Sequence, residues 1–235
     1  MQKGKLYLIP VTLGSNNLEQ TLPKSVFEII NEIEHYIVEN IKSAVNFLKQ
    51  AGIKKKIQDL TFYELNVNTN EYNITNYLDA ALNGENIGLI SEAGVPCVAD
   101  PGAVIVSLAH QKDVKVVPLV GPSSIILALM ASGLNGQNFS FNGYLPIDKN
   151  KRKQKIKDLE KKVKSENETQ IFIEAPHRND KLLDEIINNC DDSIKLCIAK
   201  NITMEDELIT TKKIADWKNR KITIGKNPAI FLLGK

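Results

Sequence analysis

The sequence carries only three cysteines, Cys97, Cys190 and Cys197, and none of them falls in a CxxC spacing. That scarcity argues against a disulfide framework and against a structural zinc site, and makes a reducing cytoplasm the expected setting. Histidine is equally sparse, with only His35, His110 and His177; no HExxH or other His/Cys cluster offers a metal site, so no metal is expected. Apolar runs are short. The N-terminal Met1–Lys5 leads only into Leu6–Pro10, too little for a signal-peptide core. No stretch approaches the ~20 apolar residues that a membrane span requires, so no membrane role is expected. No GxGxxG follows the first apolar run, which disfavours a Rossmann dinucleotide enzyme; GxxxxGK[ST] and GxSxG are also missing, which disfavours a P-loop nucleotidase and an α/β-hydrolase.

What is present suits an ordinary globular chain. Its 235 residues are 43% hydrophobic and 25% charged, and a chain of this length buries roughly 70% of its unfolded surface without staples. The formal net charge of +2 exerts little overall pull on nucleic acid. It is unevenly spread, however: Lys149–Lys164 holds nine Lys/Arg against Asp158 and Glu160. Such a window either meets phosphate or is a solvated helix face.

Short β-rich runs alternate with helical patterns, the signal for a largely parallel sheet covered by helices. The spacing predicts strands at Leu6–Ile9, Tyr36–Val38, Phe62–Leu65, Ile87–Ile90 and Val114–Leu119. It predicts helices starting near Pro23, Lys42, Thr75 and Gly102, and one from Ser123 to Ser132 that stops at Gly133. Gly143 and Pro146 punctuate the pattern, and a domain boundary is expected there, between 1–143 and 144–235. The second part reads as helix Lys151–Glu166, strand Gln170–Glu174, helix Asn179–Asn189, strand Ile194–Ala199, an excursion over Thr203–Lys213 and strand Ile230–Leu233.

The densest local signal is Gly88–Gly102, where a buried-looking strand enters two Gly/Pro-punctuated turns holding Ser91, Glu92 and Asp100. At the carboxyl end of a parallel strand such turns face the ligand crevice. Glycine lets a backbone approach a ligand closely, and proline fixes the path of the loop. Val120-Gly-Pro-Ser-Ser124 also follows a strand and opens a helix. Its amides and the Ser123 and Ser124 hydroxyls either donate to a ligand or cap that helix. The loop Pro10–Gly14 follows the first strand and adds backbone groups.

Taken in order, Ser91-Glu-Ala-Gly-Val-Pro, Ala99-Asp-Pro-Gly, Val120-Gly-Pro-Ser-Ser, Ala131-Ser-Gly-Leu, Phe141-Asn-Gly-Tyr-Leu-Pro and Glu174-Ala-Pro-His-Arg resemble the tetrapyrrole methylase superfamily. Within it they are most similar to the small-subunit ribosomal RNA cytidine 2′-O-methyltransferase branch. The resemblance implies an α/β fold of two α/β domains with a cofactor cleft between them, a homodimer, and S-adenosylmethionine as methyl donor. Residue by residue, it assigns cofactor contacts to Pro10, Gly14, Ser91, Glu92, Ala93, Gly94, Pro96, Asp100, Gly121, Ser123, Ser124, Ala175 and Pro176.

The sequence departs from that branch where substrate contacts are expected. The usual Thr-Pro-Ile-Gly-Asn-Leu opening reads Ile9-Pro-Val-Thr-Leu-Gly here, and Glu-Asp-Thr-Arg becomes Glu39-Asn-Ile-Lys42. The branch's His-Asn-Glu segment has no counterpart near Phe62–Asn70, and Arg-Glu-Leu-Thr-Lys becomes Lys200-Asn-Ile-Thr-Met204. Methyl transfer needs an in-line nucleophile, and a ribose hydroxyl gains from a base. Glu174 and His177 are the candidates to orient or deprotonate it, and Arg178 to hold a phosphate, against the plain alternative that His177 and Arg178 brace the following helix. Lys42, Lys151, Arg152 and Lys200 are candidate contacts to ribosomal RNA or the small ribosomal subunit. Two other functions fit the same features: methylation of a tetrapyrrole or other small molecule, and a non-catalytic cofactor-binding module for RNA or ribosome assembly.

Overall fold

A computed structural model of the chain describes residues 2–66, 68–69, 74–220 and 222–235. It divides into two compact units, Met1–Ser123 and Ser124–Lys235. The division falls earlier than the boundary expected at 143/144. The reason is local: the helix that follows Ser123 packs on the second sheet, and the edge strand after it pairs there too.

The first unit is built on five parallel strands, β1 (Lys5–Ile9), β2 (His35–Val38), β3 (Thr61–Glu64), β4 (Ile87–Ile90) and β5 (Lys115–Pro118), in the order β3-β2-β4-β1-β5. Its helices are α1 (Leu18–Thr21), α2 (Lys24–Ile30), α3 (Ile41–Gln50), α4 (Asp79–Leu82) and α5 (Ala103–Gln111). Alternation along the strands sorts side chains onto two faces. Tyr7, Ile9, Tyr36, Val38 and Ile90 share a core with α1, α2 and α3, whereas Leu6, Ile37, Ile87 and Leu89 pack with α4 and α5. Every residue of β4 is buried, as expected for a strand covered on both faces. Gly88 is required in it, because a Cβ there would lie 2.6 Å from Ile9 Cδ1 and 3.0 Å from Tyr36 Cδ1. Asn40 starts α3 by accepting the Ser43 amide at 3.0 Å, and Ala44, Phe47 and Leu48 form its buried stripe. Val67 and Asn70, within the Phe62–Asn70 segment singled out above, lie outside the described residues.

The second unit contains α6 (Ser124–Ser132), β6 (Phe139–Tyr144), α7 (Lys149–Glu166), β7 (Thr169–Ile173), α8 (Asn179–Asn189), β8 (Lys195–Lys200), β9 (Leu208–Lys213), α9 (Ile214–Lys218) and β10 (Ala229–Gly234). Its sheet has the order β6-β7-β10-β8-β9, and only β6 and β7 run parallel. The expectation of a largely parallel sheet therefore holds for the first unit alone. The turn between β8 and β9 is too short for a crossover, so those strands meet antiparallel. One sheet face, with Phe172, Leu196, Ile198 and Phe231, joins α7, α8 and α9 in a single core, in which the Phe172 and Phe231 rings stack at 5.8 Å. Such a pair adds about 0.5–1.5 kcal/mol beyond its buried area. Helix α6 packs against β8, β9 and β10, where Thr211 Oγ1 donates to the Ser132 carbonyl at 2.7 Å.

Candidate functional site

Three loops leave the carboxyl ends of neighbouring strands in the first unit. They are Pro10–Gly14 after β1, Ser91–Gly102 after β4 and Leu119–Ser123 after β5. Backbone hydrogen bonds lace them together. The Val11 amide donates to Gly94 O at 3.0 Å, Gly94 N to Thr12 O at 3.3 Å, and Val95 N to Pro122 O at 3.0 Å. Contact this close depends on glycine. Gly94 has φ +69°, and a Cβ there would meet Pro122 O at 2.8 Å, while a Cβ on Gly121 would meet Pro10 Cβ at 2.2 Å. Of the expected cofactor residues, Pro10, Gly14, Ser91, Glu92, Ala93, Gly94, Pro96, Asp100, Gly121 and Ser123 thus lie on this one set of loops.

The Cys97–Gly102 turn is held by a single carboxylate. Asp100 accepts the Cys97 amide through one oxygen and the Gly102 amide through the other, each at 2.7 Å. These bonds offset a strained backbone, since Cys97 (φ 70°) and Ala99 (φ 63°) both sit in the left-handed region. Residues held there cost on the order of 1–3 kcal/mol and collect at ligand-binding turns. The Cys97 thiol, pushed up to about 12 by burial and the neighbouring Asp100, stays protonated.

Sequence reasoning missed Glu39 as a site residue, noting it only as part of an altered motif. It lines a water-sized cavity of about 10 Å³ with Ser91, Asp100 and Gly102. Burial raises its pKa, and the negative charges of Glu92 and Asp100 raise it further. Among the described residues no lysine, arginine or histidine forms an ion pair with these three carboxylates. The strand order that sets β2 beside β4 is what brings Glu39 to Ser91, and spacing along the chain carries no signal for it.

This environment fits a sulfonium donor. Carboxylates without a cationic partner favour a ligand with cationic sulfur and amino groups. Val98 and Val120, 48% and 77% exposed, add apolar surface on the same loops.

The second unit holds the remaining candidates. Ser124 is the first residue of α6. Ala175, Pro176, His177 and Arg178 form a tight turn after β7. Glu174 is buried and accepts the Ala175 amide at 2.7 Å and Arg178 Nε at 2.9 Å. This is a correction to the expected role of Glu174 as a base: its side chain is 1% exposed and engaged across one turn by Arg178, which braces the turn with 27% of its own side chain still exposed. His177 is exposed beside them. Arg152 is also corrected. It is 3% exposed, grips Glu185 through Nε and Nη2 at 2.6 Å each, and donates from Nη1 to the Pro146 and Ile147 carbonyls at 3.1 and 2.7 Å. Its guanidinium is spent inside the unit and does not face RNA. Lys42 and Lys151 are exposed and Lys200 is half-buried.

Helix α7 keeps part of its charge unpaired. Lys157 and Lys164 pair with buried Glu160 at 3.1 and 2.9 Å, and Lys162 pairs with Glu168 at 3.7 Å. Lys149, Lys151, Lys153 and Lys155 form no ion pair among the described residues.

The family model for tetrapyrrole (corrin/porphyrin) methylases matches residues 12–217. The chain is 30% identical over 211 residues to the ribosomal RNA small subunit methyltransferase I of Vibrio cholerae, covering 90% of this chain and 69% of that protein. It is 30% identical over 217 residues to the protein of the same name from Buchnera aphidicola subsp. Acyrthosiphon pisum, covering 91% and 73%. Among solved structures, the methyltransferase CobJ superposes with a TM-score of 0.64 at 16% identity, over 99% of this chain and 94% of that one. A cobalt precorrin-4 methyltransferase gives 0.61 at 15% identity, over 98% and 94%; at these identities the likeness speaks for the fold. The chain belongs to the tetrapyrrole (corrin/porphyrin) methylases and is a methyltransferase that uses S-adenosylmethionine.

Proposed function

We propose that the protein methylates a ribose 2′-hydroxyl of small-subunit ribosomal RNA. The observation that carries this reading is the cluster of unpaired lysines Lys149, Lys151, Lys153 and Lys155 on α7, in a chain about 30% identical to proteins named as small-subunit ribosomal RNA methyltransferases. A compact tetrapyrrole would not need so extended a positive surface, whereas a phosphate backbone does.

S-adenosylmethionine, when bound, would supply a methyl group on sulfonium sulfur: an oxygen nucleophile would attack the methyl carbon in line, the carbon–sulfur bond would break, and the neutral thioether S-adenosylhomocysteine would leave. In this reading Pro10, Gly14, Ser91–Gly94, Pro96, Asp100, Gly121 and Ser123 hold it by backbone groups, while Glu39, Glu92 and Asp100 balance its positive charge. By the family resemblance, Ser124, Ala175 and Pro176 are further candidates to contact the donor. His177, the exposed member of its turn, accepts the hydroxyl proton on an imidazole nitrogen, and the Glu174–Arg178 pair fixes the turn that carries it. Positioning of donor and acceptor can contribute roughly 7–11 kcal/mol, and a base typically 10²–10⁴-fold. Lys42, Lys151 and Lys200 contact phosphates.

The cell compartment and assembly belong to the same reading. Three free cysteines, and the absence among the described residues of any helix long and apolar enough to cross a membrane, support a cytoplasmic protein. The exposed apolar Met130, with Ile126 one turn before it on α6, supports a homodimer.

The test is incubation of the protein with methyl-labelled donor and undermethylated small ribosomal subunits, followed by nucleotide mapping. Label on one ribose 2′-oxygen is expected. Label on a base, or on an added tetrapyrrole and no RNA, overturns the assignment. His177→Ala with unchanged turnover removes histidine as the base.

A further inference from the structure

We infer that one flank of α7 is a track for the sugar–phosphate backbone of RNA. It is formed by the row Lys149, Lys153, Lys157 and Lys161 and ends in a phosphate pocket where buried Glu160 holds Lys157 and Lys164 in place. The inference rests on the RNA reading above and adds where on the helix the strand runs and which side chains take its phosphates.

The four lysines recur at every fourth residue, so they form one ridge along the helix, with a rise of about 6 Å at each step. The buried face of Arg152, Ile156, Leu159, Glu160 and Val163 lies to one side of it. The next row outward is Asn150, Gln154 and Asp158, in which Gln154 donates to Asp158 at 3.0 Å. The opposite flank has no such ridge. There Lys151 and Lys155 are followed at the next step by buried Leu159, and Lys162 pairs with Glu168. Helix stability does not account for the ridge. Cations are disfavoured at a helix N-terminus, yet the first turn of α7 holds lysines and no acidic residue, offset in part by the N-cap Asp148.

The far end of the ridge is a built site. Glu160, whose side chain is 7% exposed, accepts Lys157 Nζ through one oxygen at 3.1 Å and Lys164 Nζ through the other at 2.9 Å. The Asp191 amide donates to the same carboxylate at 2.9 Å. Both lysines remain exposed to solvent. An ammonium carries three donors, and Lys157 spends one of them on Glu160. Lys157, Lys161 and Lys164 line a concavity of about 360 Å³ together with Glu160 and Ser165. Lys164 has a second partner in Asp191 at 3.2 Å, whereas Lys161 forms no ion pair among the described residues. Along ridge and pocket, the five lysines Lys149, Lys153, Lys157, Lys161 and Lys164 therefore face two carboxylates, Glu160 and Asp191. That excess is spread along the helix, which suits a nucleic-acid strand that meets several lysines at once better than a single small anion.

A salt titration counts the contacts. The probe is an unpaired ribosomal RNA oligomer of about 12 nucleotides, against the full chain and variants whose folding is checked by circular dichroism. Each phosphate contact to a single strand contributes about 0.7 to the slope of log K against log salt. Lys153→Ala and Lys161→Ala, which break no ion pair, should each lower the slope by that amount, and Lys157→Ala should do the same. Lys162→Ala, off the ridge, should leave it unchanged. Inorganic pyrophosphate at matched ionic strength should displace the oligomer weakly, because it fills the pocket and not the ridge. Methylation of small subunits by wild type is measured in parallel. If wild type methylates RNA but Lys153→Ala and Lys161→Ala keep its slope, or Lys162→Ala lowers it as much as they do, this inference fails alone. It fails alone as well if wild type methylates RNA but pyrophosphate binds as tightly as the oligomer, which would assign the pocket to a free anion. If wild type neither binds nor methylates RNA, the RNA reading falls with it.

Discussion

A Cβ on Gly121 would lie 2.2 Å from Cβ of Pro10 and 2.4 Å from its Cγ, so the loops after β1 and β5 touch through the absence of a side chain. Gly121→Ala must separate them. Overpacking of this kind costs about 1–3 kcal/mol. The same shift disturbs the Val95–Pro122 hydrogen bond. The expected outcome is a lowered melting temperature together with weaker S-adenosylmethionine binding, read by thermal melts with and without the donor. An alanine variant that binds the donor normally would show that this contact serves the fold alone.

Glu39 links stability to binding with opposite signs. Burial first, and then Glu92 and Asp100, hold its pKa above that of an ordinary glutamate, about 4.3. A carboxyl raised on folding adds stability while protonated, and that contribution is lost as pH rises through the elevated value. At neutral pH, Glu39→Gln should therefore raise the melting temperature of the ligand-free protein. It should also weaken the cationic donor and flatten the gain in affinity that wild type shows as Glu39 ionises. Calorimetric titration at several pH values checks this, and parallel pH curves for the two proteins would remove Glu39 from the donor's surroundings.

The Arg152–Glu185 pair works in the other direction. The hydrogen bond from Arg152 holds the Glu185 carboxyl below its usual range. Its stabilising contribution is present above the unfolded glutamate value and is lost as pH falls through the lowered one. Removing one partner of a buried pair costs about 3–5 kcal/mol. Arg152→Ala should therefore lower the urea midpoint sharply at neutral pH, and the difference from wild type should shrink in acid. Lysine should not restore it, because one ammonium cannot reproduce a two-nitrogen grip on a carboxylate together with donation to two carbonyls.

Where the chain could be read in advance, the physics was local. The apolar runs at Leu6–Ile9 and Ile87–Ile90 are strands buried on both faces, and the Gly/Pro turns after them are the laced loops. Edge strands were harder. β6 carries Asn142 and Gly143 and a register shift, and β9 is half-exposed with two threonines and two lysines, so neither has a clean alternation. Arg152 looked like one more cation in a basic run. Its phase with Ile156, Leu159 and Val163 is the signal that places it inside. The Glu174–Arg178 pair and the approach of Glu39 to Ser91 depend on packing and strand order, which one sequence does not spell out.

The three laced loops of the first unit are the proposed seat of the methyl donor. Amide hydrogen exchange of the full chain with and without saturating S-adenosylmethionine tests it most directly. At 100 times its dissociation constant the donor should add about 2.7 kcal/mol of stability. Exchange should slow in segments 10–14, 91–102 and 121–124, with Val11, Gly94, Val95 and Gly102 among the protected amides. Donor binding that leaves all three segments unchanged and protects other amides would contradict it.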